Sequence, residues 1–139
     1  MTNPNNEGPH EAKDENKRPS IESLGIYTDD VSVRFRLNYG LEHYNGAFVA
    51  YLALEDVSPY AMDLVDRFQR DYVASYVSPE GCCLHQVEML GWTDKLTELR
   101  TTEGIPEELL QWNYDALWQQ IAEVWDVVET DEGIYLFAK

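Results

Sequence analysis

Residues 113–137 read NYDALWQQIAEVWDVVETDEGIYLF, and the fold class turns on this stretch. Its first half has helical spacing. Tyr114, Leu117, Trp118, Ile121 and Trp125 fall within an arc of roughly a quarter turn at ~100° per residue. Asn113 stands before them as an N-cap, and Asp115, Glu123 and Asp126 project to the other side. The spacing therefore predicts an amphipathic helix over 113–126. Val127-Val128 then starts a strand, Asp131-Glu132-Gly133 makes a turn, and Ile134-Tyr135-Leu136-Phe137 returns. A helix running into a hairpin implies an α+β protein, with small antiparallel sheets and packed short helices.

Upstream of this stretch, Ile105-Pro106-Glu107-Glu108-Leu109 reads as a helix start, with acids where the macrodipole favours them. Short helices are expected over 93–100, capped by Thr93, and over 82–91. Ser78-Pro79-Glu80-Gly81 is a turn or a helix start. A longer helix is expected from Ser58-Pro59 to about Ala74, with Ala61, Val65, Phe68 and Tyr72 on one face. Val31, Val33, Phe35 and Leu37 alternate with Ser32, Arg34 and Arg36, the pattern of a half-buried strand. Ala47 to Leu54 is almost wholly apolar and reads as a second strand, antiparallel to the first. Residues 1–20 are polar and read as a disordered tail. The body, 21–139, divides into two expected subdomains, 21–78 and 79–139.

The 139 residues carry 26 acids against 10 bases, a net charge of −16. Direct nucleic-acid binding needs a basic footprint, and this chain lacks one. Anionic membrane surfaces are disfavoured for the same reason. Hydrophobic residues make up 44%, with four Trp and nine Tyr, which is too apolar for a wholly disordered acidic chain. The first twenty residues contain no apolar signal segment, so a cytoplasmic protein is expected. The two cysteines, Cys82 and Cys83, are adjacent. A bridge between them would close a strained ring, so both read as reduced thiols.

Few residues suggest chemistry. Cys82-Cys83-Leu84-His85 offers soft ligands, but zinc sites favour spacings such as C-x₂-C, and two buried thiols beside a surface His is the commoner arrangement. Asp29-Asp30 and Glu55-Asp56 are paired carboxylates of the kind that usually sit in solvated turns. The sequence contains no Gly-rich phosphate loop and no recognisable nucleophile motif. No catalytic residue, metal or cofactor is expected, and the chain does not read as an enzyme. Trp118 and Trp125 read as core, whereas Trp92 and Trp112 suit an interface, where aromatic anchors dominate.

The charge pattern is more informative. From Thr101 to Ala138 there is no Lys or Arg, and nine acids: Glu103, Glu107, Glu108, Asp115, Glu123, Asp126, Glu129, Asp131 and Glu132. None has an oppositely charged neighbour in sequence. A run of this kind is ordinarily a solvated face. It also suits a surface that imitates DNA, which presents one negative charge per ~1.7 Å of axis.

The last third resembles the carboxy-terminal part of ArdA-type antirestriction proteins. The resemblance rests on Gly104-Ile105-Pro106-Glu107-Glu108-Leu109, then Trp112-Asn113-Tyr114-Asp115-Ala116-Leu117-Trp118, then Asp126-Val127-Val128-Glu129 and Gly133-Ile134-Tyr135-Leu136-Phe137, in that order. Phe68-Gln69-Arg70-Asp71-Tyr72 and Tyr76-Val77-Ser78-Pro79-Glu80 resemble the central segment of that family more loosely. The chain is shorter than the family pattern, and it has Cys82-Cys83-Leu84-His85 where the family has more acids. The resemblance implies an elongated α+β protein, usually a homodimer, that mimics bent duplex DNA. It would occupy the DNA groove of a type I restriction–modification enzyme and block restriction. Carried over by position, the acids are Glu107, Glu108, Asp115, Asp126 and Glu129, joined by Asp71 and Glu80. A competing expectation is an acidic adaptor or immunity-type protein that binds a basic host or phage protein through Trp92 or Trp112. A third is a small enzyme using Cys83 with His85.

Overall fold

The computed structural model describes residues 19–139 and is an α+β protein: among these residues, five α-helices and one three-stranded antiparallel sheet. The expected tail falls outside the described residues, apart from its last two. Of these, Ser20 is ordered by reciprocal bonds with Ser23. The chain forms two compact units, divided between Arg70 and Asp71. That is ahead of the expected boundary at 78/79, because Tyr72–Tyr76 is a strand of the second unit's sheet.

In the first unit a short 3-10 turn, Glu22–Leu24, precedes helix α1, Val31–Leu52. The two strands and the antiparallel pairing expected here do not form; both segments are helical. Asp30 starts the helix, its Oδ1 accepting from the backbone N–H groups of Ser32 (2.9 Å) and Val33 (3.3 Å). The alternating apolar residues then part company. Val33 and Leu37 are buried with Leu41, at helical spacing, while Val31 and Phe35 face solvent. In the second segment Ala47, Phe48, Ala50 and Tyr51 are buried, again at helical intervals. A composition that favours strand was overridden by packing.

Helix α1 is broken at Asn45, which takes φ 46°, ψ −122°. The break folds Phe48 back onto Gly40, where a Cβ would lie 2.3 Å from the ring. Helix α2, Leu64–Asp71, brings Phe68 into this core, with ring centres 4.7 Å from Tyr44, 5.4 Å from Phe48 and 5.4 Å from Tyr51. The helix expected over 58–74 is thus shorter at both ends. The Ser58 hydroxyl accepts from the Tyr60 N–H in a local turn instead of capping a helix.

The second unit begins with β1, Tyr72–Tyr76. Helices α3 (Pro79–Met89), α4 (Trp92–Glu103) and α5 (Tyr114–Val124) follow, then β2 (Trp125–Thr130) and β3 (Gly133–Ala138). The strand order is β1-β3-β2. Ser78 caps α3 through Gly81, and Asn113 caps α5, its Oδ1 accepting from the Ala116 N–H at 3.1 Å. Pro106 to Leu109 makes one 3-10 turn, Glu107–Leu109, in place of the expected helix start. Thr93 lies inside α4 instead of capping it; that helix starts from Gly91. The core is Cys82, Cys83, Ile121, Ile134 and Leu136, with Trp118 and Trp125 half-buried against it. Among the described residues, no helix is long and apolar enough to cross a membrane.

Candidate acidic binding surface

Every acid expected on the partner-binding surface belongs to the second unit, whereas the paired carboxylates Asp29-Asp30 and Glu55-Asp56 lie in the first. The second unit carries fourteen acids and three bases. Glu80 is in the first turn of α3, and Glu103 ends α4. Glu107 and Glu108 occupy the 3-10 turn, Asp115 the first turn of α5, and Glu123 its last turn. Asp126 and Glu129 are on β2, with Asp131 and Glu132 in the hairpin turn. All of these are exposed except Asp126, which is half-buried; Asp71, at the end of α2, is also half-buried.

Asp126 departs from expectation twice. It sits on the strand and not on the helix, because the helix ends at Val124 and Trp125 is already extended at φ −120°, ψ 153°. It also has a cation, the Lys139 ammonium 3.7 Å from its Oδ1. The partner is thirteen residues away in sequence and is delivered by the β2–β3 register, Trp125 opposite Ala138 and Asp126 opposite Phe137. Local charge spacing holds no trace of such a cross-strand pair.

The hairpin gathers four of the acids. Thr130 shapes its turn: its hydroxyl donates to the Gly133 carbonyl (3.2 Å) and accepts from the Glu132 N–H (3.1 Å). Beside the turn is an open depression of about 380 Å³, lined by Ser75, Tyr76, Val77, Glu132, Gly133 and Tyr135. Burial, reinforced by the Glu132 charge, pushes the Tyr135 phenol above its usual range.

Trp92 and Trp112 stack, with ring centres 6.3 Å apart and planes at 28°. Arg100 fixes the segment between them, its Nε donating to the Leu110 carbonyl at 2.9 Å and its Nη2 to the same oxygen. One of the unit's three bases is therefore turned onto a backbone carbonyl, and a second, Lys139, onto Asp126.

The thiols sit elsewhere. Cys82 and Cys83 are fully buried, and the Cys83 thiol points to the Tyr114 carbonyl at 3.9 Å. Burial pushes Cys82 up to about 11, and burial together with the Glu80 charge raises Cys83. Both are neutral thiols near pH 7, the opposite of an activated nucleophile. His85 is exposed and bonds through Nδ1 to the Tyr76 hydroxyl at 2.7 Å. Among the described residues, no three His, Cys, Asp or Glu side chains gather as a metal-holding group.

Fold and surface together define a two-unit α+β protein whose second unit is strongly acidic and carries a stacked Trp92–Trp112 pair. Comparison with protein-family models, with curated proteins and with solved structures found no match.

Proposed function

We propose that the protein is an antirestriction DNA mimic, which binds a type I restriction–modification enzyme and inhibits it by occupying its DNA groove. The observation that carries this reading is the stretch from Thr101 to Ala138. It holds nine acids and no Lys or Arg, and eight of the nine carboxylates are on exposed residues. Acids so placed repel one another, and a positively charged groove would relieve that repulsion while releasing its own counter-ions. The family resemblance over 104–137 supplies the target. Binding is competitive and involves no chemistry, which accords with two neutral, buried thiols. In this reading the protein acts in the cytoplasm, and its homodimer presents two such surfaces.

The test is a plasmid or phage restriction assay in cells with a type I system, with and without the protein. Restriction should fall when the protein is expressed. Pooled Glu→Gln and Asp→Asn changes at Glu107, Glu108, Asp115, Glu123 and Glu129 should restore it in graded steps. Unchanged restriction with folded, expressed protein overturns the proposal.

A further inference from the structure

Asn45-Gly46 is the one Asn-Gly step in the chain; the other six asparagines precede Pro, Asn, Glu, Lys or Tyr. In such a step the next backbone nitrogen can reach the side-chain amide, because glycine has no Cβ to crowd the approach. Inside an intact helix the backbone would hold the two apart. Here the helix is broken: Asn45 takes φ 46°, ψ −122° in the middle of α1, and the residue is exposed.

The ψ value decides the chemistry. Closing a five-membered ring between the Asn45 Cγ and the Gly46 nitrogen requires that nitrogen to eclipse Cβ about the Cα–C bond. The substituents of Cα stand a third of a turn apart, so in an L residue the eclipse comes at a ψ one third of a turn to the negative side. At ψ −122° Asn45 is within a few degrees of it. A helical residue, at ψ about −42°, and a strand residue, at about +135°, are both far away. The break thus holds the main chain in the ring's own conformation before any bond forms, and only the side chain has to turn. The other asparagines of the described helices and caps are placed differently. Asn38 lies in an unbroken part of α1, and Asn113 has ψ 94° with its Oδ1 held by the Ala116 N–H at 3.1 Å.

We propose that Asn45-Gly46 is a self-modification site, at which the folded protein converts Asn45 through a succinimide to aspartate and isoaspartate. The Gly46 nitrogen attacks Cγ of Asn45. Its proton passes through solvent to the side-chain nitrogen, the Cγ–N bond breaks, and ammonia leaves. Water then opens the ring at either carbonyl, giving aspartate, or isoaspartate with the main chain running through Cβ. Water is the sole co-reactant, and no electrons change hands. Both products replace a neutral side chain by a carboxylate. Isoaspartate also adds an atom to the main chain at the break that carries Phe48 back onto Gly40, so the core of the first unit loosens as the protein ages.

The test compares the full chain with a synthetic peptide of residues 41–50, incubated side by side at neutral pH and followed by mass spectrometry of protease digests. Loss of ammonia marks the succinimide, and a protease that cleaves before aspartate but not before isoaspartate separates the two products. Asn45 in the folded chain should convert about tenfold faster than in the peptide, the worth of one backbone residue fixed beforehand. The rate should rise with pH, since the attacking nitrogen must lose its proton. Asn38 and Asn113 should persist in the same sample, and Asn45→Gly should abolish the reaction while keeping the break. Fully converted protein should melt lower by about 5 °C. A rate in the folded chain equal to or below that of the peptide overturns the proposal, because the fold would then shield the step. Fast conversion with an unchanged melting temperature overturns the loosening of the first unit and leaves the modification standing.

Discussion

Asn45 and Gly40 show how much of the first unit hangs on single residues. Asn45 takes a positive φ that a side chain with a Cβ branch rarely adopts and that Asn tolerates. Without that break, Phe48 could not return to Gly40, eight residues earlier on one helix. Asn45→Ala should therefore cost ~1–2 kcal/mol in thermal unfolding, and Asn45→Gly should be neutral or slightly stabilising. Gly40→Ala places a methyl where the Phe48 ring lies, and that ring is fully buried with nowhere to swing. The expected cost is about 1–3 kcal/mol by the same measurement. Neither role is written in the local pattern. The glycines and asparagines of Asn38 to Gly46 suggest a connection between two strands, but the segment is helical and is interrupted only at Asn45.

Cys82 gives a prediction in pH at the same scale. Burial holds its thiol neutral in the folded protein, up to about 11, against 9.0 for a free thiol. The unfolded chain ionises first as pH rises, so the stability from this group is complete below 9.0 and is lost between 9.0 and about 11. Unfolding midpoints should decline across that window. Cys82→Ala should decline less steeply, while starting lower by the ~1–2 kcal/mol of a small cavity.

At the scale of elements, the helix–hairpin of the second unit was the part most legible in the sequence. Its helical stripe, its Asn113 cap and its Gly133 turn all act locally, and each appears in the structure. Asn113→Ala should cost ~1 kcal/mol of stability in denaturant unfolding. Gly133→Ala should cost more, because its Cβ would meet the Tyr76 carbonyl oxygen at 2.7 Å, a backbone atom that cannot swing aside, at φ 152°. Strand β1 was illegible by comparison. Tyr72 continues the helical apolar face of 61–72, and only pairing with β3, some sixty residues later, makes it a strand. The leading segments of α1 failed for a related reason. Val31, Val33, Phe35 and Leu37 fit a two-residue period over seven positions, and the helical period emerges only when Leu41 is included.

At the scale of the molecule, the candidate surface was legible in its composition and not in its construction. The cation-free run was plain in the sequence, as were Trp92 and Trp112. The cross-strand Lys139, the turning of Arg100 onto Leu110 and the exposure of Leu109 depend on how distant segments meet. Charge dispersed over two helices, a 3-10 turn and a hairpin predicts shared work. No single neutralisation at Glu103, Glu107, Glu108, Asp115, Glu123, Glu129, Asp131 or Glu132 should change target affinity more than a few-fold, whereas pooled changes should compound.

The measurement that bears most directly on DNA mimicry is a competition between this protein and a duplex oligonucleotide for the methyltransferase core of a type I restriction–modification enzyme. Mimicry predicts mutually exclusive binding: each ligand displaces the other, and the protein's apparent affinity falls in proportion as duplex is added. It also predicts a decline of affinity with salt, as for a phosphate-binding site. A ternary complex in which protein and duplex are bound together, with neither affinity altered, would contradict it.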